Sequence, residues 1–187
     1  MNTIIRNSLD NHLNIVKNLE NYIPVIKRIS LLFSSALRHN KKIIFFGNGG
    51  SAADAQHLAA ELVGRFKKKR RPLNALALTT NTSILTALGN DFGFEYIFAM
   101  QIEALGKPGD IAVGISTSGN SKNVLRGLQK AKEIRMKTVG FLGKDGGKIK
   151  KAVEIPLIIS SNDTARIQEA HILIGHIICE IVEKRIA

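Results

Sequence analysis

The chain has 187 residues, of which 44% are hydrophobic and 22% are charged. This size and balance predict one folded domain, and they exclude a mainly disordered chain, a collagen-like chain and a polytopic membrane protein. The 27 Lys and Arg residues exceed the 15 Asp and Glu residues, which gives a formal net charge of +12. A basic surplus fits anionic small substrates, nucleic acid or acidic surfaces, and it does not choose among them.

The single cysteine, Cys179, cannot form an internal disulfide or a thiolate zinc cluster, so we expect a reducing compartment and interpret it as a core residue. The first residues, from Met1 to Ser8, contain no apolar core of a signal peptide. No stretch reaches the ~18 consecutive apolar residues of a membrane span. We therefore expect a cytoplasmic protein.

The predicted elements begin with two helices in residues 1–40, where apolar residues recur at helical spacing with a break near residues 21–24. Apolar runs then predict strands at 41–47, 76–78, 110–115, 138–142 and 154–159. Helical patterns predict helices at 52–66, 83–88, 94–105 and 121–134, and a long final helix at about 164–184. This alternation predicts a single doubly wound α/β domain over residues 1–187, with a parallel sheet of about five strands.

The first predicted strand ends in a glycine-rich loop, Phe46-Gly-Asn-Gly-Gly-Ser51. Ligands of open parallel sheets bind at the carboxyl ends of the strands, and glycine lets the backbone turn tightly and approach a ligand. We expect Ser51 to cap the helix that follows. A strand-to-helix turn that simply requires glycine explains the same residues, so this loop alone leaves both interpretations open.

A second loop, Ile115-Ser-Thr-Ser-Gly-Asn-Ser121, also lies between a predicted strand and a predicted helix. Its hydroxyl groups and the backbone N–H groups of a helix N-terminus suit a phosphate monoester. The loop lacks the Gly-Lys-Ser/Thr of a P-loop and the dinucleotide fingerprint, which argues against hydrolysis of a nucleoside triphosphate. An ordinary serine-rich turn is the alternative.

Two pairs of polar residues lie on predicted helices. His57 and Glu61 are four residues apart and share one helix face, and Gln168 and His176 are eight residues apart, roughly 80° around the helix axis. A carboxylate beside a histidine is the minimum for proton transfer between adjacent carbons. Imidazole, carboxylate and amide oxygen also suit a zinc-type divalent ion. Each residue alone is more often an ordinary surface or core residue than part of a site, and the sequence does not show whether the two helices meet.

These residues belong to a longer series of motifs that spans essentially the whole chain. In order they are Phe46-Gly-Asn-Gly-Gly-Ser51, Asp54-Ala-Gln-His57, Glu61-Leu-Val-Gly-Arg65, Gly89-Asn-Asp91, Gly114-Ile-Ser-Thr-Ser-Gly-Asn-Ser121, Gly143-Lys-Asp-Gly-Gly147 and Arg166-Ile-Gln-Glu-Ala-His171 with Gly175-His176. The series resembles the phosphoheptose isomerases of the sugar isomerase (SIS) family. The resemblance implies a three-layer α/β domain, a homotetramer, and the isomerisation of sedoheptulose 7-phosphate to D-glycero-D-manno-heptose 7-phosphate, which opens bacterial ADP-heptose synthesis for lipopolysaccharide.

The resemblance also implies a role for each motif residue. Substrate contacts are implied for Asn48, Gly49, Gly50, Ser51, Glu61, Asn90, Asp91, Ser116, Thr117, Ser118, Ser121 and Gln168. Glu61 and His176 are implied as the catalytic proton-transfer pair, and one zinc ion per subunit is implied on His57, Glu61, Gln168 and His176. Direct coordination to zinc would lower the basicity of Glu61, although the ion could polarise the substrate carbonyl. Both roles of Glu61, as base and as zinc ligand, therefore stay open.

Three other functions are compatible with parts of this sequence. A non-catalytic SIS tetramer that binds the replication initiator protein has the same fold, but such relatives depart at the catalytic carboxylate and the final histidine, and Glu61 and His176 are both present here. The basic run Arg65-Phe-Lys-Lys-Lys-Arg-Arg71 is a candidate nucleic-acid patch or a solvated loop, with Phe66 as its one aromatic residue. A third alternative keeps the fold and changes the sugar to a hexose, pentose or amino-sugar phosphate.

Overall fold

The computed structural model describes residues 1–186, and a five-stranded sheet forms its centre. The strands are β1 (Ile43–Gly47), β2 (Ala75–Ala77), β3 (Ile111–Ser116), β4 (Lys137–Gly143) and β5 (Ile155–Ile159). Their order is β2-β1-β3-β4-β5, and every neighbouring pair is parallel. Strands β1 and β3 are buried at every residue, as a parallel sheet covered on both faces requires. The predicted α/β class and strand number are confirmed.

Helices cover both faces of this sheet and complete the three layers. They are α1 (Asn2–Asn18), α2 (Ile23–Arg38), α3 (Gly50–Val63), α4 (Thr82–Asp91), α5 (Ile97–Leu105), α6 (Lys122–Glu133) and α7 (Thr164–Ile186), with short 3₁₀ turns at Leu19–Tyr22, Phe94–Tyr96 and Ile149–Lys151. Side chains of α2, α3 and α7 form the core on one face, and those of α5 and α6 form the core on the other. No helix in the described part of the chain combines the length and apolar character that crossing a bilayer needs.

Two adjacent phenylalanines show how one strand serves both cores. Phe45 packs edge-on against Phe33 of α2, with ring centroids 6.1 Å apart. Phe46 contacts Phe98 of α5 on the opposite face, at 5.1 Å. Side chains alternate between the faces of a strand, so an uninterrupted apolar run fills two cores at once.

Some helix boundaries differ from the predicted ones, and in α3 the glycine residues at its two ends explain the difference. Helix α3 begins after Gly49, which adopts a left-handed φ of +55° as the N-cap, and the predicted capping role of Ser51 is wrong because Ser51 lies buried inside the first turn. The same helix ends at Val63, before Phe66, because Gly64 terminates it. Helix α4 continues through Asp91, so the motif around it lies on a helix.

Candidate active site

The two unusual loops lie side by side at the carboxyl edge of the sheet. Gly47, at the end of β1, pairs with Ile115, near the end of β3. From these neighbouring strands the chain crosses to β2 on one side and to β4 on the other, which creates the crevice where open α/β sheets bind ligands. Asn48 and Asn123 join the loops by two reciprocal amide hydrogen bonds of 2.9 and 2.8 Å.

The serine-rich loop gathers its hydroxyl groups into one cluster. The Oγ atom of Ser116 lies 2.9 Å from that of Ser121 and 3.4 Å from that of Ser118. Gly119 has a φ of +64°, and a Cβ at this position would lie 2.3 Å from the backbone of Gly146. The loop is thus backed by the 143–147 turn, and Ser121 and the first turn of α6 line a pocket together with Asn48 of the glycine-rich loop.

Three polar side chains converge between α3 and α7. The Nε2 atom of His57 lies 2.8 Å from Nε2 of His176 and 3.2 Å from Oε1 of Glu61. The ligand atoms of all three residues lie within 4.8 Å of one another. His57 and Glu61 share one face of α3, as their spacing predicts, and His176 reaches them from α7. We call these three residues the polar trio.

The trio exists because α3 and α7 run side by side in the same direction. Near the start of both helices, the amide of Gln168 lies so close to Gly50 that a Cβ there would be 2.4 Å from Nε2. Further along, a Cβ on Gly175 would lie 2.5 Å from Cδ2 of Leu58, so this glycine lets the two helices approach. The residues named for metal binding are thereby all placed along one helix–helix interface.

Burial shapes the electrostatics of the trio. It lowers the pKa of His176, the neighbouring His57 lowers it further, and Glu61 partly offsets both effects. One turn before His57, burial raises the pKa of the Asp54 carboxyl to about 6, against a lowering effect of His57. The site therefore holds a histidine that is neutral near neutral pH beside carboxyl groups, which is the equipment for proton transfer.

The sequence of this chain is similar to a known protein family and to named members of it. The family model of the SIS domain matches residues 9–143. The chain is 56% identical over 168 residues to the phosphoheptose isomerase of Aquifex aeolicus, covering 90% of this chain and 88% of that protein. It is 53% identical over 183 residues to the phosphoheptose isomerase of Geotalea daltonii, covering 97% and 95%. The chain belongs to the phosphoheptose isomerases of the SIS-domain family.

A solved structure of the family has the same architecture. The phosphoheptose isomerase of Neisseria gonorrhoeae superposes with a TM-score of 0.93 at 40% sequence identity, covering 98% of each chain. Family membership and the convergence of Glu61 with His176 leave the initiator-binding alternative without support. The family resemblance seen in the motifs is therefore confirmed.

The structure does not bring every predicted site residue to the trio. Asn90 and Asp91 are exposed at the end of α4, where the amide of Asn90 donates to Asp91 at 2.8 Å. Among the described residues, no hydrogen bond joins this pair to the trio or to the serine-rich loop. Thr117 and Ser118 are half-buried, whereas Gly49 and Gly50 are exposed at the start of α3.

Three residues at this site were not expected from the sequence. The ring of Phe66 stacks on His176, with centroids 5.4 Å apart and an interplanar angle of 18°. Arg70 of the basic run is buried and pairs with Glu183 of α7. The other five cations of the run are exposed, as a solvated loop predicts, and only Arg70 departs from that interpretation. Its partner lies more than a hundred residues away along the chain, and local sequence patterns carry no signal for such a contact.

Proposed function

We propose that this chain is an aldose–ketose isomerase that converts sedoheptulose 7-phosphate to D-glycero-D-manno-heptose 7-phosphate, the first step of ADP-heptose biosynthesis. The observation that carries the proposal is the convergence of His57, Glu61 and His176 between α3 and α7. The identity of 52–58% to proteins named phosphoheptose isomerase selects the heptose among phosphorylated sugars.

The substrate phosphate binds to the serine-rich loop. Ser116, Ser118 and Ser121 supply hydroxyl donors, with Thr117 beside them, and the N-terminus of α6 favours negative charge. The glycine-rich loop, with Asn48, Gly49, Gly50 and Ser51, lines the opposite wall. Asn90, Asp91 and Gln168 contact the hydroxyl groups of the sugar.

Glu61 and His176 carry out the proton transfers. The Glu61 carboxylate removes a proton from C1 of the open-chain ketose, and the electron pair moves to give an enediol as the C2 oxygen receives a proton from an N–H of the neutral His176 imidazole. The O1 hydroxyl then gives its proton to the resulting imidazolate, and Glu61 delivers its proton to C2, which leaves the aldose and restores both side chains. Acid–base assistance of this kind contributes about 10²–10⁴-fold.

A zinc ion fits the residues of the trio. Two imidazole nitrogens and a carboxylate oxygen within 4.8 Å of one another are the ligand types that zinc prefers, and the amide of Gln168 lies at the same interface. When bound, zinc polarises a carbonyl oxygen as a Lewis acid. His57 belongs to this site as a ligand and orients Glu61 through their 3.2 Å contact.

The whole chain acts as one SIS domain within a homotetramer. Helix α1 has no buried residue in the single chain. Four of its large apolar side chains are more than half exposed, namely those of Ile4, Ile5, Leu9 and Leu13. A mainly apolar groove of about 490 Å³ lies between residues 16–27 and α7. Such surfaces are typical of contacts between subunits, and sedimentation analysis should give four chains per particle.

Turnover of sedoheptulose 7-phosphate by the purified protein tests the function. We expect conversion to the aldose phosphate, its loss in Glu61→Gln and His176→Ala, and a dependence on added zinc after treatment with a chelator. No conversion by the folded protein, with or without zinc, would refute the heptose reaction. Activity on a pentose or hexose phosphate alone would transfer the proposal to that sugar.

A further inference from the structure

The segment that follows α3 is held by one buried carboxylate from α7. Glu183 is 1% exposed, and its oxygens accept hydrogen bonds from the backbone N–H groups of Phe66, Lys67 and Lys68 at 3.1, 2.8 and 2.8 Å. We call residues 66–68 the stacking turn. Burial alone would raise the pKa of Glu183, but these donors and Arg70 lower it below its usual value, so the carboxylate is charged.

Arg70 connects the same carboxylate to the end of α3. Its guanidinium donates to the carbonyl oxygens of Glu61 and Leu62 at 2.7 and 2.8 Å, which satisfies acceptors that a helix end leaves free. Its Nε lies 3.2 Å from Oε1 of Glu183, and both side chains are at most 3% exposed. The last turn of α3, which carries Glu61, is thereby tied to α7.

The first residue of the stacking turn, Phe66, contacts the polar trio. With its backbone fixed by Glu183, Phe66 lays its ring parallel to that of His176, 5.4 Å away. At its Nε2 edge, His176 meets His57, with the two ring planes at 69°. His176 therefore contacts two rings, and only one of them belongs to the predicted catalytic and metal-binding set.

We propose that Phe66 and Glu183 are positioning residues for the isomerisation: Glu183 fixes the stacking turn, and Phe66 then holds the His176 ring in the plane in which it faces His57 and Glu61. The inference rests on the proposed function for its reaction and on these contacts for its geometry. An aromatic face restricts rotation of the imidazole without adding a competing proton donor, and small misplacements of a catalytic group are costly.

Steady-state kinetics of Phe66 variants test the effect on the reaction. Phe66→Leu keeps an apolar side chain and the Glu183 contacts, and we expect its kcat to fall about tenfold, with KM unchanged within about twofold. An interaction made chiefly in the transition state lowers kcat and kcat/KM equally. Phe66→Tyr, which retains the ring, should restore kcat. Unchanged kcat in folded Phe66→Leu would overturn the proposal.

Nuclear magnetic resonance tests the geometry without substrate. The chain has five histidines, so labelling with ¹³C at Cε1 gives few signals, and loss of the His176 signal in His176→Ala assigns it. The stacked Phe66 ring shifts this signal by its ring current. We expect Phe66→Leu and Glu183→Gln to move it in the same direction, each in zinc-free protein.

Glu180→Gln is the matched control for Glu183→Gln. Glu180 lies one turn earlier on α7 and pairs with the side chains of Lys67 and Lys184 on the surface, at 2.6 and 2.8 Å. Its substitution should leave the His176 signal and kcat as in the wild type. An unmoved signal in folded Glu183→Gln would refute the role of Glu183. If that variant does not fold, Phe66→Leu still decides the role of the ring. A wild type without turnover would refute the proposed function and leave the spectroscopic result intact.

Discussion

The Nε2 atoms of His57 and His176 lie 2.8 Å apart, although 119 residues separate the two histidines along the chain. Two imidazoles that meet through the same type of nitrogen share one proton, because a proton on both facing nitrogens would be repulsive. Replacing that proton by a cation satisfies both lone pairs at once. The carboxylate of Glu61, 3.2 Å from His57, adds the negative charge that such a cation needs.

Zinc affinity should therefore depend on His57. We expect His57→Ala to weaken zinc binding by at least about tenfold, measured by calorimetry on protein first stripped with a chelator. His39→Ala is the control, since the His39 ring bonds to the carbonyl of Ser35 in its own helix at 2.8 Å. Equal zinc affinity in His57→Ala and the wild type would place the ion outside the trio.

We expect activity to require glycine at position 50 because the Gln168 side chain leaves no room for a Cβ there, and not because the backbone needs the conformational freedom of glycine. A Cβ at position 50 would lie 2.4 Å from the Gln168 amide, so Gly50→Ala must push that amide out of the interface. We expect kcat/KM to fall about tenfold, with little change in melting temperature since the displaced group is a flexible side-chain end. In a Gln168→Ala background the same substitution should cost nothing further, and an additive loss would contradict this account.

The amide pair between Asn48 and Asn123 should govern substrate affinity. Asn123 is 3% exposed and holds Asn48 through two hydrogen bonds, so Asn123→Ala frees a side chain that lines the crevice. We expect KM for the sugar phosphate to rise and the free energy of unfolding to fall by about 1–2 kcal/mol. Urea denaturation and initial rates measure the two effects. A stability loss without any change in KM would limit the pair to a structural role.

Stability should fall in acid because of His171. This residue is 1% exposed, its Nε2 donates to the carbonyl of Leu142 at 3.0 Å, and its Nδ1 is buried without a partner. Burial lowers its pKa to about 4, and the Leu142 contact offsets this only partly. Between pH 6.5 and 4 the unfolded chain thus binds the proton and the folded chain does not, so stability is complete above this range and is lost as the pH falls.

The expected loss from His171 is roughly 2–3 kcal/mol between pH 7.5 and 4.5. Urea denaturation at both pH values measures it in the wild type and in His171→Gln, which keeps a polar donor of similar reach. The variant should lose less stability on acidification than the wild type. Since other groups titrate equally in both proteins, an identical loss would show that His171 does not contribute.

The order and type of the elements were predictable from local pattern. Apolar runs marked all five strands. Strand β1 needs no polar alternation because it is buried on both faces, as Phe45 and Phe46 illustrate. Boundaries were less predictable. Helix α3 ends at Val63 instead of continuing through Phe66 because Gly64 terminates it and Arg70 binds its last carbonyls, and the arginine contact is tertiary.

For the site, the residue types that were available and the helix faces that they share followed from the amino-acid sequence alone. The spacing of His57 and Glu61 requires them to be neighbours on α3, since a helix repeats every 3.6 residues. The contact of His176 with this pair depends on the packing of α7 against α3 at Gly175 and Leu58, which the spacing of residues does not predict. The link from Glu183 through Phe66 to His176 likewise has no sequence signal. Contacts between elements depend on how their surfaces pack, and local periodicity carries no information about that.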